Sequence, residues 1–186
     1  MRALLSLVVA AALAASPARA AESTEAMQAS GQAVVGKAAP WFSGWTLDDQ
    51  VLNQKRLLQQ KAGGYALVLF ATWCKPCEEG LRALKARQAQ LAERRVQVVL
   101  VAVGETSERV GPWIRERGMS ELPVLVDQFS QIGRVLGAIT SQGGKEETSL
   151  PRTVVLDSAG TVRAVFGREG PDYVDRVLAA AAPPPP

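Results

Sequence analysis

Tyr65-Ala66-Leu67-Val68-Leu69-Phe70 is an unbroken apolar run that ends on Ala71-Thr72-Trp73-Cys74-Lys75-Pro76-Cys77. Apolar residues without alternation describe a strand buried on both faces, as in a sheet lying between two helical layers. A helix is expected directly afterwards, over Pro76–Arg94. Pro76 suits its first turn, and Cys77, Leu81, Leu84, Gln88 and Leu91 recur on one face. Val96-Gln97-Val98-Val99-Leu100-Val101-Ala102-Val103 reads as a second buried strand. Buried strand, helix, buried strand is a crossover unit, and it commits the chain to the α/β class.

The pattern continues in the same style. Glu108–Arg117 reads as a helix stopped by Gly118. Val124–Val126 reads as a short strand and Ser130–Leu136 as a short helix. Thr153–Asp157 and Thr161–Phe166, joined through Ser158-Ala159-Gly160, form a hairpin pattern. Asp172–Ala180 is a closing helix, and Trp41–Leu52 a short hairpin in front. The expected architecture is a central mixed sheet flanked by helices, with an N-terminal β-hairpin extension. Trp73 is expected to be an exposed contact beside the cysteines, whereas Trp41, Trp45 and Trp113 are expected in packing.

The ends read differently. Met1-Arg2, the apolar run Ala3–Ala15 and Ala18-Arg19-Ala20 have the layout of a cleaved export signal over residues 1–20. A membrane span needs about 20 apolar residues, so an uncleaved anchor is the lesser reading. Residues 21–35 read as a linker, 36–181 as the folded domain and 182–186 as a proline-rich tail. Removing Arg2 and Arg19 leaves 19 of the 21 basic side chains against 18 acidic ones. So near-neutral a chain gives no reason to expect a nucleic-acid partner. The expected location is periplasmic or otherwise exported.

The chain has no histidine and only 2 cysteines. Triads built on imidazole, and histidine-ligated zinc or copper, are thereby excluded. Chemistry falls to the cysteine pair. Cys74 would stand at a helix N-terminus, where free N–H groups and the helix dipole stabilise a thiolate, with the Lys75 cation beside it. Cys77, one step deeper, could resolve a mixed disulfide made by Cys74. As a purely structural bridge the pair would add only about 2 kcal/mol, because the loop it closes is so short. No metal and no bound cofactor is expected, only a redox-active Cys74–Cys77 disulfide.

Phe70-Ala71-Thr72-Trp73-Cys74-Lys75-Pro76-Cys77 resembles the active-site segment of the thioredoxin superfamily. Ala39-Pro40-Trp41-Phe42 and Leu47-Asp48-Asp49 make the chain similar to its TlpA/ResA-like branch of exported thiol–disulfide oxidoreductases, many of which serve cytochrome c maturation. The resemblance covers about Gly36–Ala180. It implies a thioredoxin-like fold and a cis-proline loop at Leu150-Pro151-Arg152, beside the cysteines. Cys74 and Cys77 would then be catalytic, and Trp73, Lys75, Pro76, Leu150, Pro151 and Arg152 would contact substrate. The implied partners are protein disulfides or dithiols and an unidentified electron donor, which could be membrane-bound. The chain is expected to act as a monomer, more as reductant than as oxidant. The alternative is a binding or chaperone module of the same fold with little turnover.

The chain departs from the pattern in three places. Val68 stands where family members often bury an acid or Asn. Gly80 and Arg82 stand where the branch often has Glu and Pro. The stretch from Gly137 to the proline is longer than usual, the extra Thr140–Thr148 being polar and read as a mobile loop, either a tolerated surface insertion or a loop that selects partners. A peroxiredoxin is disfavoured because Thr72-Trp73-Cys74 lacks the Thr-x-x-Cys spacing, and a copper-delivery module by the absence of histidine.

Overall fold

The computed structural model describes residues 32–182. The export-signal reading of 1–20, most of the 21–35 linker and nearly all of the tail lie outside the described residues. Strands β1 (Ser43–Thr46) and β2 (Val51–Asn53) are followed by helix α1 (Gln54–Gln59), β3 (Gly64–Phe70), α2 (Lys75–Ala86) and α3 (Gln88–Glu93). Next come β4 (Val96–Val103), α4 (Ser107–Glu116), β5 (Val124–Asp127) and α5 (Gln131–Val135). A separate hairpin, β6 (Ile139–Gln142) with β7 (Lys145–Thr148), precedes β8 (Arg152–Asp157), β9 (Val162–Phe166) and α6 (Tyr173–Ala181).

Seven strands form one mixed sheet in the order β2-β1-β5-β4-β3-β8-β9. β5, β4 and β3 are parallel, and antiparallel pairs extend the sheet on both sides. The expected N-terminal hairpin is therefore an edge of the main sheet, since β1 pairs with β5 as well as with β2.

All seven residues of β3 are buried. Its alternate side chains feed two cores, as strand geometry requires. Val68 and Phe70 pack with Leu81, Ile114 and Val177 of α2, α4 and α6. Leu67 and Leu69 pack on the other face with Leu57 of α1 and Ile132 of α5. Each such fully buried side chain contributes about 1.5–3 kcal/mol.

Several expectations are corrected. The single helix over 76–94 is two helices. At Arg87, which has φ −112°, the backbone N–H is shared between the Ala83 and Leu84 carbonyls at 3.2 Å, and the turn breaks there. Trp41 and Trp45 are not in packing, each being 60% exposed. Strand parity explains this: Phe42 and Gly44 face inward, Gly44 lying where an added Cβ would crowd Ile132 and Leu125, so the two tryptophans fall on the outer face. Trp113 is half-buried against Phe70, with ring centroids 5.3 Å apart. The stretch 140–148 is a paired hairpin. Gly143 and Gly144, at φ +57° and +78°, make its two-residue turn.

Candidate active site

Cys74 caps the N-terminus of α2 in an extended conformation, and the Cys77 amide donates to Cys74 Sγ at 3.3 Å. The two cysteines form a disulfide across a Cα–Cα distance of 5.3 Å. Cys77 is fully buried, and Cys74 is only 5% exposed, less open than its place at a helix end suggests. The rim is more accessible. Trp73 is 59% exposed, and Lys75 and Pro76 are also exposed on the first turn of α2. An N–H aimed at a helix-capping sulfur is an arrangement that holds a thiolate once the disulfide is reduced.

The turn that presents Cys74 is tied down by a residue not expected from the sequence. Glu105, 5% exposed at the end of β4, accepts from Thr72 N and from Thr72 Oγ1, each at 2.6 Å. Arg109 Nε lies 3.1 Å from both Glu105 Oε1 and Thr72 Oγ1. β3 and β4 run parallel, so residues just past their C-terminal ends meet at one edge. That rule could have pointed to Glu105.

On the other side of the pair stands the proline loop. The Leu150–Pro151 bond is cis. Leu69 pairs with Arg152, and continuing this antiparallel register by one residue sets Pro151 beside Phe70, where the cysteine turn begins. Pro151 is buried and Leu150 half-buried. Arg152, by contrast, is engaged within the fold: its Nε donates to the Leu136 carbonyl at 2.7 Å, and burial lowers its pKa. Trp73, Lys75, Pro76, Leu150 and Pro151 thus gather around the cysteines, while the Arg152 guanidinium braces the end of α5.

Two acids lie along α2 in opposite states. Glu78 meets Arg117 at 3.2 Å, and the hydrogen bond from that guanidinium holds its carboxyl below the usual range. Arg117 in turn stacks over Trp113 at 4.0 Å, joining α4 to the cysteine helix. Glu169, from the connection between β9 and α6, brings its carboxylate against Gly80. Burial pushes its pKa up to about 8. Beside it the buried Tyr173 hydroxyl meets Thr153 Oγ1 at 2.7 Å, and burial raises the phenol above its ordinary value. Nothing in the sequence links Glu169 to α2, because its contact with Gly80 depends on a side chain that Gly80 does not have.

The larger surface cavities open elsewhere. One of about 450 Å³ is lined by Leu47, Pro112 and Arg115, and one of about 610 Å³ by Trp45, Phe129 and Ile132. Neither includes a cysteine. Beside the buried cysteines, Trp73, Lys75 and Pro76 form an exposed rim on which an extended chain can lie.

Comparison with known proteins agrees with this geometry. A model of the AhpC/TSA family matches residues 35–165. "Thiol-disulfide oxidoreductase ResA" of Geobacillus thermodenitrificans is 27% identical over 132 residues, covering 71% of this chain and 68% of that protein. The crystal structure of a thiol:disulfide interchange protein of the thioredoxin family from Chlorobium tepidum is 29% identical, with a TM-score of 0.61 over 78% of this chain and 95% of the other. Peroxidoxin BcpB from Mycobacterium tuberculosis has a TM-score of 0.69 over 80% of this chain and 96% of the other, but at 18% identity it speaks only to the fold.

Proposed function

Because the chain belongs to the AhpC/TSA family and is a thiol–disulfide oxidoreductase, we propose that it acts on exported protein substrates in the reducing direction. The observation that carries the exchange chemistry is Cys74 at the N-cap of α2, its sulfur accepting from the Cys77 amide. The reducing direction rests on the resemblance to the TlpA/ResA-like branch, since a stabilised thiolate by itself favours the reduced pair and draws the couple towards an oxidant. The Cys74 thiolate attacks a sulfur of the substrate disulfide, forms a mixed disulfide and expels one substrate thiolate. Cys77 then attacks Cys74 Sγ, closes the Cys74–Cys77 bond and releases the second substrate thiolate. A donor dithiol restores the reduced pair, and a membrane-bound redox protein would serve. The reading requires no metal and no bound cofactor. Trp73, Lys75, Pro76 and the Leu150-Pro151 edge are the surfaces on which a substrate segment would rest.

The test is insulin reduction together with the couple's potential. Cys74→Ser should abolish turnover. The Cys74–Cys77 couple should lie near the reducing end of the family range, at roughly −270 mV, and a value near −120 mV would make the protein an oxidant instead. Among the described residues no helix is long and apolar enough to cross a membrane. Export with cleavage after Ala20 is read from the mass of the mature chain, and a retained N-terminus would replace it with an anchored form.

A further inference from the structure

The Glu169 carboxylate occupies the notch that Gly80 leaves in α2, and a Cβ at position 80 would collide with it. Both of its oxygens are sealed from solvent and lack a hydrogen-bond partner among the described residues. Gly80 follows Cys77 by three residues on the same buried face of α2. Positions at that spacing are neighbours, with Cβ sites about 5–6 Å apart. The carboxyl therefore sits one turn below the inner cysteine. A charge in such a place is costly, and the neutral form is favoured. The nearby Gly80 amide, short of a well-formed hydrogen bond, opposes the rise, and Glu79 of α2 adds a smaller like-charge pressure in the raising direction. The other ionisable groups nearby belong to α6 and its approach. Tyr173 is buried and hydrogen-bonded to Thr153, and Arg176 is paired with Asp172 and stacked over Phe166.

We propose that Glu169 is the proton-exchange partner of Cys77. The proposal rests on the reading of Cys74 as nucleophile and Cys77 as resolving thiol. In the reducing direction, Cys77 gives its proton to the Glu169 carboxylate and attacks Cys74 Sγ. The mixed-disulfide bond breaks, and its electron pair leaves on the substrate sulfur. During recharging, a donor thiolate attacks Cys74 Sγ. The Cys74–Cys77 bond breaks with its electron pair on Cys77, and the Glu169 carboxyl returns the proton. A group that titrates close to the working pH can serve both directions. The carboxyl comes from a loop far from the cysteines in sequence, so it can act only while that loop is docked on α2.

The experiment uses the reduced full chain and 5,5′-dithiobis(2-nitrobenzoate). Attack by Cys74 releases a first thionitrobenzoate, and resolution by Cys77 releases a second, so stopped-flow absorbance separates the steps across pH 5–9. In Glu169→Gln, which keeps the shape and removes the titration, the second phase should slow tenfold or more at neutral pH. It should also lose the wild-type pH inflection assigned to Glu169, while the first phase stays within twofold. Gly80→Ala, which evicts the carboxylate but keeps the acid, should show the same second-phase defect. A wild-type rate and pH profile for the second phase in Glu169→Gln would overturn the proposal. So would equal slowing of both phases, which marks a structural role. Wild-type protein lacking a second phase would instead overturn the redox reading itself.

Discussion

Thr72 hangs on Glu105 through both its backbone N–H and its hydroxyl, and Cys74 follows two residues later. Removing the acceptor strands a partly buried donor, at a cost towards the lower end of about 1–3 kcal/mol. Glu105→Ala should therefore lower the denaturant midpoint by an amount in that range. It should also slow Cys74 attack on a small disulfide, because the turn loses its anchor. Glu105→Gln retains one acceptor oxygen and should lose less on both counts. Glu169 gives the opposite kind of dependence. Its folded pKa of about 8 stands above its unfolded value, so between about pH 4.5 and 8 the native state binds more protons than the unfolded one. Stability from this group is complete below the unfolded pKa and declines as pH rises towards 8. Equilibrium unfolding of Glu169→Gln should show a flatter pH profile across that window, with a gain over wild type largest near pH 8. A parallel decline in both proteins would mean that the carboxyl is not buried in solution.

α2 is the element that turns sequence into chemistry. Its N-terminus carries Cys74 at the cap and Cys77 on the buried face, the more exposed sulfur belonging to the capping residue. In the reduced protein Cys74 should alkylate faster than Cys77, as read by mass-mapped iodoacetamide labelling at neutral pH. Faster labelling of Cys77 would reverse the roles. The long elements were legible because burial imposes a period: β3, β4 and the α2 face follow directly from runs of apolar residues. The short ones were not. α1 buries only Leu57, too little to make a helical repeat visible. All four residues of β7 are exposed, so no alternation marked the hairpin, although Gly143-Gly144 is itself a hairpin turn signal. For the outward tryptophans, bulk suggests burial, whereas the parity set by Phe42 and Gly44 decides their exposure. At the site, the cysteines and the proline loop were visible as local motifs. Glu105 and Glu169 were not, since each acts across the fold on a backbone turn or a glycine notch.

At the scale of the molecule, the cysteine turn and the proline loop lie at one edge of the sheet, and the β6–β7 hairpin enters the chain just before that loop. The hairpin is fastened mainly at its base. Ala138 and Ile139 are buried, Ser149 N donates to the Ala138 carbonyl at 2.8 Å, and Arg134 pairs with Glu146 at 2.8 Å. The outer residues, Lys145–Thr148 among them, are exposed and contribute nothing to either core. An exposed ion pair such as Arg134–Glu146 is worth at most about 1 kcal/mol. Replacing residues 140–147 with a two-residue Asn-Gly turn keeps the Ile139 and Thr148 base and should leave the melting temperature nearly unchanged. The reduction potential should also hold, because neither sulfur nor the α2 N-terminus is touched. What should change is discrimination. A paired hairpin entering the chain just before the proline loop would exclude some partners by contact and favour others, so its removal should compress the spread of kcat/KM across a panel of disulfide-bonded proteins. Rates with a small disulfide should stay within twofold of wild type. A panel ranking identical with and without the hairpin would make it a neutral surface addition.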